Sequence, residues 1–124
     1  MAPTPTPVAK SGKVYLRSAK YVPSPKPGRV HFNWKYDSKS ADAFSVWFYN
    51  VQTHKYTVVR PSWSTRVQGN GGGSGQVTND RLVGVAGVYT LILAAEASGY
   101  DATTPTKVYG TSSEFHVKIT DFET

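Results

Sequence analysis

Three aromatic residues stand where ring chemistry with a ligand is the natural first reading: Trp47, Tyr49 and Trp63. In residues 43–51 (AFSVWFYNV), a two-residue period puts Phe44, Val46 and Phe48 on one face and Trp47 and Tyr49 on the other. Trp63 lies between Ser62 and Ser64, in what reads as a polar loop. Flat rings with polar edges stack on sugar rings and hydrogen-bond hydroxyls, so the expected chemistry is a carbohydrate platform made of Trp47, Tyr49 and Trp63. The competing reading is structural: Trp47 covers a second sheet or a dimer partner, and Trp63 plugs one end of the fold.

Catalytic groupings are harder to find. His31, His54 and His116 never fall at metal-ligand spacing, so no metal site is expected. Cysteine is absent, which removes thiolate chemistry and disulfides. No GxSxG elbow occurs. Of the carboxylates, Glu96 and Glu114 fall inside expected strands, and both read as facing solvent, a poor start for a glycosidase pair. The run Gly69-Asn70-Gly71-Gly72-Gly73-Ser74-Gly75 lacks the Lys-Ser/Thr ending of a phosphate loop and reads as part of a flexible loop over residues 61–79. No catalytic residue and no cofactor is expected, and binding is the favoured role.

These residues need strands to hold them. Residues 29–36 alternate cleanly, with Val30, Phe32, Trp34 and Tyr36 on one side and Arg29, His31, Asn33 and Lys35 on the other. Further strands are expected over residues 13–22, 43–51, 55–60, 80–86, 88–97 and 113–120. In the last of these, Phe115, Val117 and Ile119 should point inward. Tyr89, near the start of a late strand, fits the corner position at which a buried tyrosine bonds back to the chain. About seven strands, many turn residues and no amphipathic helix predict an all-β, immunoglobulin/fibronectin-III-like antiparallel β-sandwich. Residues 13–124 form the expected single domain, preceded by a Pro/Thr-rich tail over residues 1–12.

Charge divides the chain. Residues 1–66 hold eleven Lys/Arg and two Asp/Glu, whereas residues 67–124 hold three and six. A basic face for anionic polymers is one reading, and binding through it should weaken with salt. The dispersal of single charges along strands favours plain solvation. Basic and aromatic residues do not interleave in one motif, so nucleic acid is not an expected partner. The longest apolar run, residues 82–95, is broken by Gly84 and Gly87 and is too short for a membrane span. The start Met-Ala-Pro-Thr-Pro-Thr-Pro has no apolar leader and reads as a mature secreted sequence or a cytosolic start.

Three segments, taken in order, carry a resemblance. They are Gly28-Arg29-Val30-His31-Phe32-Asn33-Trp34, Phe44-Ser45-Val46-Trp47-Phe48-Tyr49-Asn50, and the closing pair Gly87-Val88-Tyr89-Thr90-Leu91-Ile92-Leu93 with Thr111-Ser112-Ser113-Glu114-Phe115-His116-Val117. Over residues 28–118 the chain resembles the immunoglobulin-like domain of fungal Kre/Knh-type cell-wall assembly proteins and Ser/Thr-rich GPI-anchored proteins. The resemblance implies a secreted or cell-wall fungal module that binds carbohydrate or cell-wall glycan in a lectin-like way. It brings no catalytic residue with it. The chain departs from that family in lacking a Ser/Thr-rich tail and an anchor signal, and in having a strand-like segment before Gly28. A looser, purely architectural likeness to fungal immunomodulatory proteins and mushroom lectins implies the alternative, an interaction protein acting as a homodimer through the outer aromatic strand.

Overall fold

Alternation builds the first sheet. In β2 (Arg29–Lys35), Val30, Phe32 and Trp34 are buried while His31, Asn33 and Lys35 are exposed. β1 (Tyr15–Val22) pairs with one edge of β2, and β5 (Gly72–Thr78) pairs with the other, both antiparallel. The second sheet is centred on two strands with little polar content. These are β3 (Ala43–Asn50) and β6 (Gly87–Ala95), flanked by β4 (Lys55–Ser64) on one side and by β7 (Val108–Thr111) and β8 (Phe115–Val117) on the other. The order is β1-β2-β5 in one sheet and β4-β3-β6-β7 in the other, with β8 also on β6. The computed structural model describes residues 10–122, and over them the chain is an antiparallel immunoglobulin/fibronectin-III-like β-sandwich. Its only helical turns there are the 3-10 turns Asp80–Leu82 and Ile119–Asp121.

The core lies between the sheets. Val30, Phe32, Trp34, Phe44, Val46, Phe48, Leu91, Leu93 and Val117 are all 0–1% exposed. Each such side chain contributes about 1.5–3 kcal/mol relative to an exposed one. At one end, rings from both sheets meet. The Trp34 centroid is 5.2 Å from Phe44 and 6.0 Å from Trp63, and Phe32 is 5.3 Å from Trp63. Trp34 Nε1 donates to the Thr65 carbonyl (2.9 Å), a buried tie between a strand of one sheet and the chain leaving the other. At the other end Tyr89 donates its hydroxyl to the Val85 carbonyl (2.6 Å), forming the expected corner.

Four expectations differ from what is found. Residues 61–79 are not a flexible loop: β4 runs on to Ser64 and Gly72–Thr78 is a full edge strand. The glycines there are set by close approach. A Cβ at Gly73 would fall inside the Trp34 indole, and one at Gly75 would meet Trp63. Residues 80–86 are not a strand but a 3-10 turn followed by a left-handed Val83 (φ 45°), because the chain must here cross from one sheet to the other. Ile119, expected inward, is 63% exposed. The strand stops at Val117, and the backbone turns so that Asp121 accepts from the Lys118 amide (2.9 Å). Gly12, assigned to the tail, is pinned by Gly12 N to Lys39 O and Ala41 N to Gly12 O, both 2.8 Å. Residues 1–9 of the expected tail lie outside the described residues.

Candidate functional site

The three expected platform residues are not brought together. Trp47 lies on the outer face of the five-stranded sheet, as its parity requires, yet it is 0% exposed. Val58, Ile92 and Ala94 surround it, Ala97 and Ala102 of the β6–β7 connection pack against it, and its Nε1 donates to Ser45 Oγ (2.7 Å). Trp63 is on the opposite face of the same sheet, paired with Phe44 across β3–β4. Its ring closes the end of the core, with the Arg60 guanidinium 4.7 Å above it. Two register shifts between β3 and β4 help set the side taken by Trp63, in a segment that its flanking serines made read as a polar loop. Tyr49 is half-buried. Its hydroxyl meets His54 Nδ1 at 2.8 Å and its ring lies 4.6 Å from Tyr56. No exposed platform joins the three: Trp63 closes the end of the core, as in the competing reading, whereas Trp47 is covered by its own chain rather than by a second sheet or a dimer partner.

The outer face of the three-stranded sheet is a different matter. Strand periodicity turns Tyr15, Lys20, Arg29, His31, Asn33 and Lys35 away from the core, and a bulge between Leu16 and Ser18 adds Arg17 and Ser18 to the same side. Lys20 pairs with His31, Ser18 with Asn33 and Tyr15 with Lys35. Next to them β5 offers only Gly72, Ser74, Gln76 and Thr78, so the face steps down from β1 and β2 to a low shelf.

At that step lies an open cleft of about 560 Å³, lined by Arg17, Ser18, Asn33, Gln68, Asn70 and Ser74. Its floor is the glycine backbone of Gly72 and Gly73 over Trp34. The wall past β5 is held by Gln68, which donates Nε2 to Ser74 O (2.7 Å) and accepts from Ser74 N (2.9 Å). Asn33 donates to Ser18 Oγ (2.8 Å), which leaves the Asn33 carbonyl oxygen free toward solvent. Amides, hydroxyls and one guanidinium in this arrangement both donate to and accept from a polyhydroxylated ligand. The sequence pointed to Asn33 only as an outward strand position, and Gln68 and Asn70 sat in the segment read as a loop.

No carboxylate occurs within β1, β2 or β5, while Arg17, Lys20, Arg29 and Lys35 do. Among the described residues the one ion pair is Arg66–Asp42 (2.6 Å), just beyond the end of β2, where Arg66 also lies over the Tyr36 ring. Asp37, just beyond β2, is held below the usual carboxylate range by hydrogen bonds from the Lys39 amide and from Ser40. It thus closes its own turn. His31, His54 and His116 are exposed on separate elements, and among the described residues no group of three or more His, Asp or Glu could hold a metal. Among the same residues no helix is long and apolar enough to cross a membrane.

Comparison with protein-family models, with curated proteins and with solved structures returned no match. Nothing in those comparisons links the chain to the Kre/Knh-type proteins or to the immunomodulatory proteins.

Proposed function

We propose that this chain is a non-catalytic carbohydrate-binding module whose binding face is the outside of the three-stranded sheet. One observation carries the reading: the cleft in which Arg17, Ser18, Asn33, Gln68, Asn70 and Ser74 converge over a glycine floor. Such a set reads hydroxyls, because the Asn33 amide oxygen, the Asn70 amide and the Arg17 guanidinium supply acceptors and donors, and the backbone floor lets a ring approach closely. The resemblance of residues 28–118 to Kre/Knh-type domains agrees with this ligand class and would put the module outside the cytoplasm, at the cell wall. The aromatic platform is no part of this reading, since the chain itself covers Trp47 and Trp63. For the same reason a homodimer built on Trp47 has no exposed ring to use.

A glycan array followed by calorimetry tests the proposal. Binding of an oligosaccharide should fall at least about tenfold in Asn33→Ala, the loss of about one well-placed hydrogen bond or slightly more. Tyr49→Phe should bind as before. An array without any glycan hit, or a hit untouched by Asn33→Ala and lost in Tyr49→Phe, would overturn it.

A further inference from the structure

We infer that the glycan taken by this face is acidic, a polysaccharide carrying sulfate or carboxylate groups. This rests on the glycan-binding reading and names its ligand class. The face presents Arg17, Lys20 and Lys35 in the open, with Lys13 beside Tyr15 at its margin and Arg29 and His31 on the central strand. Alternate residues of β2 stand about 7 Å apart, so Arg29 and Lys35 lie about 20 Å apart with Lys20 of β1 between them, rather than gathering at a point. That geometry suits a chain with repeated anionic groups better than one small anion. None of the described carboxylates pairs with these cations. Asp37 and Asp80 lie beyond the strand ends, and Glu114 stands across a second cleft from Lys20, on the β1 side. The cationic face therefore has no internal counter-charge over its middle, and a polyanion laid along β2 meets one sign only.

The same face argues against nucleic acid. Binding single strands needs aromatic rings on which bases stack. The one Phe, Tyr or Trp ring that the described residues place here is Tyr15, and Lys13 and Lys35 already sit against it, with Nζ 5.4 and 5.3 Å from its centroid. Trp34 lies beneath Gly73 and is 0% exposed. What remains available is guanidinium, ammonium, amide and hydroxyl, which is the vocabulary of a sugar bearing acid groups.

The experiment compares two doubly neutralised chains that lose the same net charge. Lys20→Gln/Lys35→Gln alters the proposed face, and Lys55→Gln/Arg81→Gln alters the side of β4, where the two residues line one cleft. Each is titrated with heparin oligosaccharide, a neutral β-glucan oligosaccharide and single-stranded DNA of matched charge, at two salt concentrations. The expected result is heparin binding that weakens steeply with salt and drops about tenfold in the first variant and less than threefold in the second, as for two exposed ion contacts. Equal losses in both variants would mean that net charge alone acts, and would sink the inference. So would DNA bound more tightly than heparin, because the ligand would then be nucleic acid. Neutral glucan bound in preference to heparin, with no salt dependence, would leave the glycan-binding reading standing and remove only the acidic ligand. If heparin is not bound at all, the acidic-ligand inference fails, and the glycan array decides the glycan-binding reading separately.

Discussion

Trp47 is the residue whose role changed most between sequence and structure. It sits on the outer face of β3, and residues of its own chain close over it. Trp47→Ala should therefore cost about 3–5 kcal/mol, the price of a large buried ring, in urea denaturation, with no separate loss of a ligand in the fraction still folded. A variant of unchanged stability would mean the ring is not packed as described. Tyr89 is the opposite case, a residue legible from position alone. Its hydroxyl satisfies the Val85 carbonyl at 2.6 Å, and burial raises its pKa. Tyr89→Phe keeps the ring and drops the bond, so the expected loss is about 1–2 kcal/mol by the same measurement. Gly73 and Gly75 were read as flexibility because glycine is poor in strands. Their true reason is the indole that each must accommodate. Gly75→Val should destabilise by about 1–3 kcal/mol through overpacking against Trp63.

At the scale of elements, the chain ends and crossovers are tied by a polar network of their own. Tyr21 on β1 donates to Asp121 Oδ2 (3.0 Å), and Asn79, just past β5, donates to the Asp121 carbonyl (3.2 Å). The Asp121 carbonyl also accepts from Gly28 N (2.9 Å), which brings in the start of β2. Burial, followed by the neighbouring Asp121, pushes Tyr21 up to about 12 from an ordinary 10.0. A raised folded-state pKa makes the neutral phenol part of the fold. Its stabilisation is complete below pH 10 and is lost as the pH rises toward 12. Denaturation midpoints should thus fall across that window, and Tyr21→Phe should flatten the part of the decline that comes from this group. A decline of the same slope in the variant would assign it to other tyrosines. Asp37 gives the mirror case at the β2–β3 turn. Its lowered pKa means stabilisation present above the usual carboxylate value of 3.8 and lost as the pH falls through the folded value.

For the whole molecule, the rings shared between sheets and the Trp34–Thr65 bond leave no seam along which one sheet opens first. Near-ultraviolet signals from the tryptophans and far-ultraviolet signals from the strands should change together in one transition, and displaced midpoints would show that the sheets unfold separately. Net charge belongs to this scale as well. The surplus of cations in residues 1–66 reads as scattered along the chain, and pairing β1 against β2 is what gathers Arg17, Lys20, Arg29 and Lys35 on one side of one sheet.

Local alternation was enough to determine the all-β class, the inward faces of β2 and β3, and the corner at Tyr89, because a two-residue period and a corner tyrosine are properties of short segments. It could not determine β5, whose glycines answer to Trp34 and Trp63 far away in the chain, nor the side taken by Trp63, which depends on bulges seen only once β3 and β4 are paired. Nor could it show that residues after β6 cover Trp47, or that Gln68 and Asn70 come to face Arg17 and Asn33 across a glycine floor. Side-chain direction is local, whereas exposure and convergence depend on which distant strands become neighbours, and that is settled only by tertiary packing.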